Sequence, residues 1–196
     1  YISKSGVGPI NAAHTLSQIL EYYELDQIIL LGLGGAITAN LNLTDICIAD
    51  HIIQHDAVCS FDDHIEQMAC GELHVSLPEE ARPAIELKTN RNCNLVIKEW
   101  LSQKGHTVVT GGILSGSEFI ASTKRKKEIQ KRFPGSIMVE MEACAIAFLA
   151  NRYKIPFSVV KTVADTLNNK PQDEYKDYLN SNAKKCADIF QLMRSL

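Results

Sequence analysis

Apolar residues recur at helical spacing soon after the chain begins. Ile10, Ala13, Leu16, Ile19, Leu20 and Tyr23 fall three or four apart, which predicts a helix with one face on a core. Ahead of it, Ser5-Gly6-Val7-Gly8-Pro9 reads as a turn and residues 1–4 as the tail of a strand. The period then changes. Residues 28–31 are four consecutive apolar positions stopped by Gly32-Leu33-Gly34-Gly35, the pattern of a strand buried on both faces. A second short strand is predicted at 46–49. Residues 56–88, with Gly71, Pro78 and Pro83, are irregular, long enough for a functional excursion or a partner surface. Asn92 is expected to cap a helix that runs through Leu101 and stops at Gly105. Strand 106–113 ends in Gly111-Gly112. Ser122 or Thr123 opens a helix to Arg132, stopped by Phe133-Pro134-Gly135. A strand at 137–139, a helix at 143–153, a strand at 156–160 leading towards Asp165 and a last helix at 173–196 complete the pattern.

Strands alternating with helices predict an α/β fold with a mainly parallel sheet. With 196 residues and no repeat or linker, a single domain over 1–196 is expected. In such folds sites form where strands end. Four stretches qualify: 32–36, 111–119, 140–142 and 163–165.

Composition narrows the function classes. The net charge is −3, so there is no cationic surplus for phosphates and no nucleic-acid partner is expected. The basic run Lys124-Arg125-Lys126-Lys127, between Glu118 and Glu128, reads as a solvated helix face. No apolar stretch reaches the ~18 residues of a membrane span, and the first six residues lack the apolar core of a signal peptide. The six cysteines are too widely spaced for a zinc knuckle or a CxxC pair. Several lie in apolar runs, so free thiols in a reducing compartment, the cytoplasm, are expected.

Candidate chemistry lies at the strand ends. Glu140 and Glu142 flank Met141 where a strand gives way to a helix; alternation puts both acids on one side if the strand continues. Both also suit a helix N-terminus without any further role. Asp165 closes an apolar run, where a half-buried carboxyl with a raised pKa would serve as a proton donor; a turn or cap role is the plainer alternative. Ser115, Gly116 and Phe119 follow a strand and offer backbone amides and one ring, suited either to a flat ligand or, for the ring, to the core. His51 and His55 read as structural or interface residues rather than as metal ligands, because no third ligand is in view. No GxSxG elbow, GxGxxG turn or P-loop lysine is present.

These stations occur in an order that resembles the nucleoside phosphorylase/nucleosidase superfamily, in particular its 5′-methylthioadenosine/S-adenosylhomocysteine nucleosidases. They are Ser5-Gly6-Val7-Gly8 with Asn11-Ala12-Ala13; Gly32-Leu33-Gly34-Gly35-Ala36; His55-Asp56; Ser115-Gly116 with Phe119-Ile120; Phe133-Pro134; Val139-Glu140-Met141-Glu142-Ala143; and Val163-Ala164-Asp165. The resemblance implies a three-layer αβα fold of nucleoside phosphorylase type with a mixed, mainly parallel central sheet. It also implies hydrolysis of the bond between adenine and a 5′-substituted ribose. On this resemblance Asp165 protonates purine N7, Glu142 binds ribose hydroxyls, Met141 lies under the sugar, Phe119 stacks on the base and the Ile120 backbone reads its edge. Glu140, Gly34 and Ser115 complete the substrate site. No cofactor or metal is implied, the partner is the purine nucleoside, and a homodimer is expected.

Three departures follow. The family's water-activating glutamate falls on a strand ahead of Tyr1, so the domain is expected to be N-terminally incomplete. Leu33 stands where Ser or Thr is common. Ala164 replaces a Ser that often precedes the acid, which predicts a less well oriented donor. Leu30 and Leu33 also stand where related phosphorylases hold phosphate with Arg and Ser, which favours water as nucleophile. A phosphate-dependent phosphorylase, a futalosine hydrolase and a non-catalytic nucleoside-binding relative are the alternatives.

Overall fold

The computed structural model describes residues 1–75 and 77–167. The helix expected at 173–196 lies outside them. Residues 1–4 are not in a strand. The chain opens with α1 (Pro9–Tyr22), whose Ala12 and Leu16 are buried, and continues into β1 (Ile28–Ala36) and β2 (Ile46–Gln54). The stretch read as irregular holds a small hairpin, β3 (Val58–Ser60) and β4 (Ile65–Gln67), a 3-10 turn, Glu79–Ala81, and β5 (Glu86–Lys88). Next come α2 (Arg91–Gln103), β6 (Val108–Ser115), α3 (Thr123–Arg132), β7 (Ser136–Glu140), α4 (Ala143–Tyr153) and β8 (Phe157–Asp165). The cap of α2 is Asn90 rather than Asn92; its side chain accepts from the Cys93 amide at 2.8 Å. Ser122 caps α3.

The main sheet has the order β5-β2-β6-β7-β1-β8 and is mixed. β2, β6 and β7 run one way, β1 and β8 the other. The long registers, β1 with β8 and β2 with β6, are parallel. The first half of β2 also pairs with β8, so the sheet curls round and meets itself. Helices α1 and α4 pack together on one side, over a core that includes Leu16, Ile52, Met138, Ile146 and Val159. Helix α2 covers Ile46, Ile48 and Val160 with Ile97 and Leu101, and α3 covers Leu114 and Val139 with Ile129 and Phe133.

The glycines expected to break β1 lie inside it. A Cβ on Gly32 would stand 2.9 Å from Lys161 Nζ, one on Gly35 2.8 Å from Asp165 Oδ1, and one on Gly34 would collide with Met138 Sδ. The strand gives up side chains so that those of its neighbours can cross it.

Candidate active site

Because β1 and β8 run against β7, the C-terminal ends of β1, β7 and β8 meet: Gly35 pairs with both Val139 and Asp165. A cavity of about 390 Å³ opens there. Seven of the eight residues expected at a substrate site line it: Gly34, Phe119, Ile120, Glu140, Met141, Glu142 and Asp165. Ser115 does not line it. It is fully buried, and its hydroxyl accepts from the Cys144 amide at 2.9 Å. Its place is behind the wall, fixing the start of α4.

Glu140 ends β7 and is almost wholly buried. Its carboxylate accepts from the amides of Glu142 (3.0 Å) and Ala143 (2.9 Å), so it caps α4 from within the preceding strand. It also accepts from Lys161 Nζ at 2.7 Å. Burial pushes this carboxyl up, but Lys161, with Ser115 and the Ala143 amide, reverses that and holds it below the ordinary range. Glu142 lies on the same side, as alternation predicts. One of its oxygens takes Lys161 Nζ at 3.0 Å and the other the Gly8 amide at 2.9 Å, at the start of α1. Burial favours a neutral Lys161 amine; the two carboxylates outweigh it and raise the ammonium above its ordinary value. The two readings of these acids merge, since Glu140 is both helix cap and cavity wall.

Asp165 departs from expectation. It is not an acid in apolar surroundings but forms an ion pair with Lys126 Nζ, which also donates to the Thr166 carbonyl at 3.1 Å. Lys126 is 1% exposed. The basic run is therefore a solvated face only in part: Lys124 and Lys127 are exposed, while Lys126 turns inward with Ile129. Asp165 is thus held from α3. Neither Lys126 nor Lys161 was marked by sequence reasoning. The signal for Lys161 was a lone charge inside the apolar strand 157–165. For Lys126 it was its spacing of three from Ile129 and seven from Phe133, which puts it on the helix's apolar stripe.

His55 and Asp56 support the loop that carries Phe119. Asp56 accepts from the Ser117 amide at 2.6 Å. His55 is 1% exposed and lies under Gly116, where a Cβ would meet its Nε2 at 2.6 Å. Burial holds its imidazole below the ordinary value, against weaker opposing pulls from Asp56 and Glu118. His51 belongs to another cluster, 2.5 Å from Asp50 and 3.9 Å from Glu86. Phe119 is 58% exposed on the cavity rim, and Glu118 beside it is held by Arg125 at 2.8 Å.

Comparison with known proteins agrees with this geometry. The family model for the phosphorylase superfamily matches residues 1–194. A 5′-methylthioadenosine/S-adenosylhomocysteine nucleosidase of Staphylococcus aureus is 30% identical over 200 residues, covering 99% of this chain and 80% of the relative. One from Staphylococcus haemolyticus is 28% identical over 190 residues, covering 97% and 78%. Among solved structures, a Helicobacter pylori MTAN mutant with 5′-methylthioadenosine in its active site superposes with a TM-score of 0.83 at 23% identity, covering 98% of this chain and 78% of that one. The native futalosine hydrolase of the same species gives 0.82 at 24%, covering 97% and 77%. The fold is shared with both, and the chain belongs to the phosphorylase superfamily, as a relative of its 5′-methylthioadenosine/S-adenosylhomocysteine nucleosidases.

Proposed function

We propose that the protein hydrolyses the N-glycosidic bond of 5′-methylthioadenosine, S-adenosylhomocysteine or a closely similar purine nucleoside. Water adds to the anomeric carbon, the carbon–nitrogen bond breaks, and adenine leaves with a proton. The observation that carries this reading is the charge of the cavity floor. It holds three carboxylates, Glu140, Glu142 and Asp165, against two buried ammoniums, Lys161 and Lys126, and each ammonium already faces a carboxylate. An anionic floor favours the positive charge that develops on the ribosyl group as the bond breaks. It disfavours a phosphate dianion as nucleophile. Leu30 and Leu33 line the same cavity and bring no donor for phosphate.

Asp165 is assigned the proton for purine N7, as an acid on the leaving group of a glycosidic bond. Glu142 takes the ribose hydroxyls and orients the sugar. Met141 packs under the sugar and Phe119 on the base, with the Ile120 backbone at the base edge. Gly34 borders the cavity with its backbone. Glu140 keeps Glu142 and Lys161 in register, and Ser115 acts behind it.

The chain is assigned one domain, supported by a family match running from residue 1 to 194. A homodimer is proposed from the exposed Phe61, Ile65 and Leu73 around the β3–β4 hairpin. The cytoplasm is proposed from Cys47 and Cys144, buried as free thiols. Among the described residues no helix is long and apolar enough to cross a membrane.

The test is adenine release from 5′-methylthioadenosine with and without phosphate. Release is expected without phosphate, and Asp165→Asn and Glu142→Gln should each lower kcat about 10²- to 10⁴-fold while circular dichroism stays unchanged. Release that requires phosphate and yields a sugar phosphate would establish a phosphorylase. A tightly held, uncleaved nucleoside would establish a binding protein.

A further inference from the structure

The pairing of Lys126 with Asp165 has no part in the reaction as described so far. Lys126 is one of the most completely buried large side chains among the described residues. Its ammonium reaches one carboxylate and one carbonyl, Asp165 and Thr166. A cation placed there stabilises the charged carboxylate. Asp165 therefore faces an ammonium in the free protein, with its other side towards the cavity. Purine N7 is an acceptor, and so is a carboxylate oxygen. Two acceptors brought face to face repel unless one proton lies between them.

We propose that Lys126 is a positioning residue that makes proton uptake part of substrate binding: it fixes Asp165 as a carboxylate until the nucleoside arrives, and the proton later transferred to the base is then taken from solvent and shared between N7 and Asp165. This rests on the assignment of Asp165 as the acid for N7. One proton enters as the nucleoside binds and leaves on adenine, and the attacking water releases one proton to solvent as its oxygen bonds to the anomeric carbon, so the balance is neutral and the lysine keeps its charge throughout. The arrangement keeps the donor from pairing with water or with Thr166 between turnovers. It also links the acid to the base-stacking segment, because α3 follows Phe119 and Ile120 directly.

The charged neighbours of Asp165 are few. Lys126 comes from α3, while Lys161 lies on Asp165's own strand and is engaged by Glu140 of β7 and Glu142 at the start of α4. Glu118, held by Arg125, and Lys4 complete the charged lining of the cavity among the described residues. β1 contributes only the Gly35 backbone.

Two measurements test the inference. The first is the pH profile of kcat/KM for 5′-methylthioadenosine hydrolysis in wild type, Lys126→Met, Lys126→Gln and Lys126→Arg. Loss of the ammonium should move the alkaline limb upward by about one to three pH units, the range expected when a carboxylate loses a paired cation. Lys126→Arg should keep the wild-type limb. A merely structural lysine would lower rate or yield without moving the limb, and an unmoved limb in Lys126→Met or Lys126→Gln overturns the inference. The second needs no variant. Calorimetry of wild type with an uncleavable adenosine C-nucleoside that retains an acceptor at N7, in buffers of different ionisation enthalpy at about pH 8, should show uptake of close to one proton per site, since ordinary histidines are neutral there. Binding without uptake overturns it. Full activity in Asp165→Asn would instead overturn the assignment of the acid itself.

Discussion

Two buried lysines pair with the carboxylates that line the cavity, and they are held in different ways. Lys161 sits between Glu140 and Glu142, and both carboxylates are themselves tied to backbone amides at the starts of α4 and α1. Its charge is overmatched, and every group around it has a second attachment. Lys126 has one carboxylate, and Asp165 is 14% exposed at the cavity. The first arrangement is a frame that joins a strand and two helix starts. The second, among the described residues, is one ion pair between a helix and the group assigned the proton. Multiple attachment resists change, while single attachment lets one event in the cavity alter a protonation state.

The largest effect should come from removing the frame. Lys161→Met leaves two carboxylates buried beside each other and should cost about 3–5 kcal/mol in chemical denaturation. Lys161→Arg retains the charge and should cost less, although a guanidinium has to fit where Gly32 already leaves just enough room. A loss under 1 kcal/mol in Lys161→Met would erase the contrast between the two lysines.

Gly35→Ala comes next. Its Cβ would stand 2.8 Å from Asp165 Oδ1, so the carboxylate must shift, at about 1–3 kcal/mol. Activity should fall more than stability suggests, because the moved group lies at the cavity and, among the described residues, is tied by Lys126. Equal falls in kcat and in stability across Gly35→Ala and Gly34→Ala would show that the tether has no special weight.

His55 provides a third buried group that can carry charge, one with no hydrogen-bond partner on either ring nitrogen among the described residues. Its folded-state pKa is lowered, chiefly by burial, so the unfolded chain binds the proton more readily. Its stabilising contribution is present above about pH 6.5, the unfolded value, and is lost as pH falls below it. Thermal unfolding from pH 7.5 to 5 should show a steeper loss for wild type than for His55→Gln. The smallest effect is expected at the rim, where Arg125→Ala breaks a half-exposed pair with Glu118 and should cost about 0.2–1 kcal/mol, shrinking with salt.

Much of this architecture was legible in the residues. The alternation of apolar runs with helical periods gave the order of strands and helices, and Ser122, Phe133 and Gly135 marked the bounds of α3. The candidate site came from the resemblance, because acids at strand ends suit turns and helix caps equally well. Other features were hidden for identifiable reasons. Glycines in β1 look like a strand's end because local propensity does not register a side chain arriving from a neighbouring strand. Lys126 was submerged in a run of like charges, where composition outweighs the helical phase of one member. Ser115 sat in a loop-like Ser-Gly-Ser, yet its hydroxyl belongs to the start of α4, a contact made across 29 residues. The closure of β2 on β8 is a long-range pairing with no local mark at all.

That closure bears on how the molecule behaves among copies of itself. Among the described residues β2, β6, β7, β1 and β8 each have a strand on both sides, although β1 meets β7 only at Gly35 and Ala36. Among the described residues β5 has a neighbour on one side alone; it is three residues long and carries Glu86 and Lys88. A short, charged border is a poor template for strand addition. On that margin a sheet rich in Ile, Val and Leu is shielded from edge-to-edge addition by the shortness and charge of its last strand.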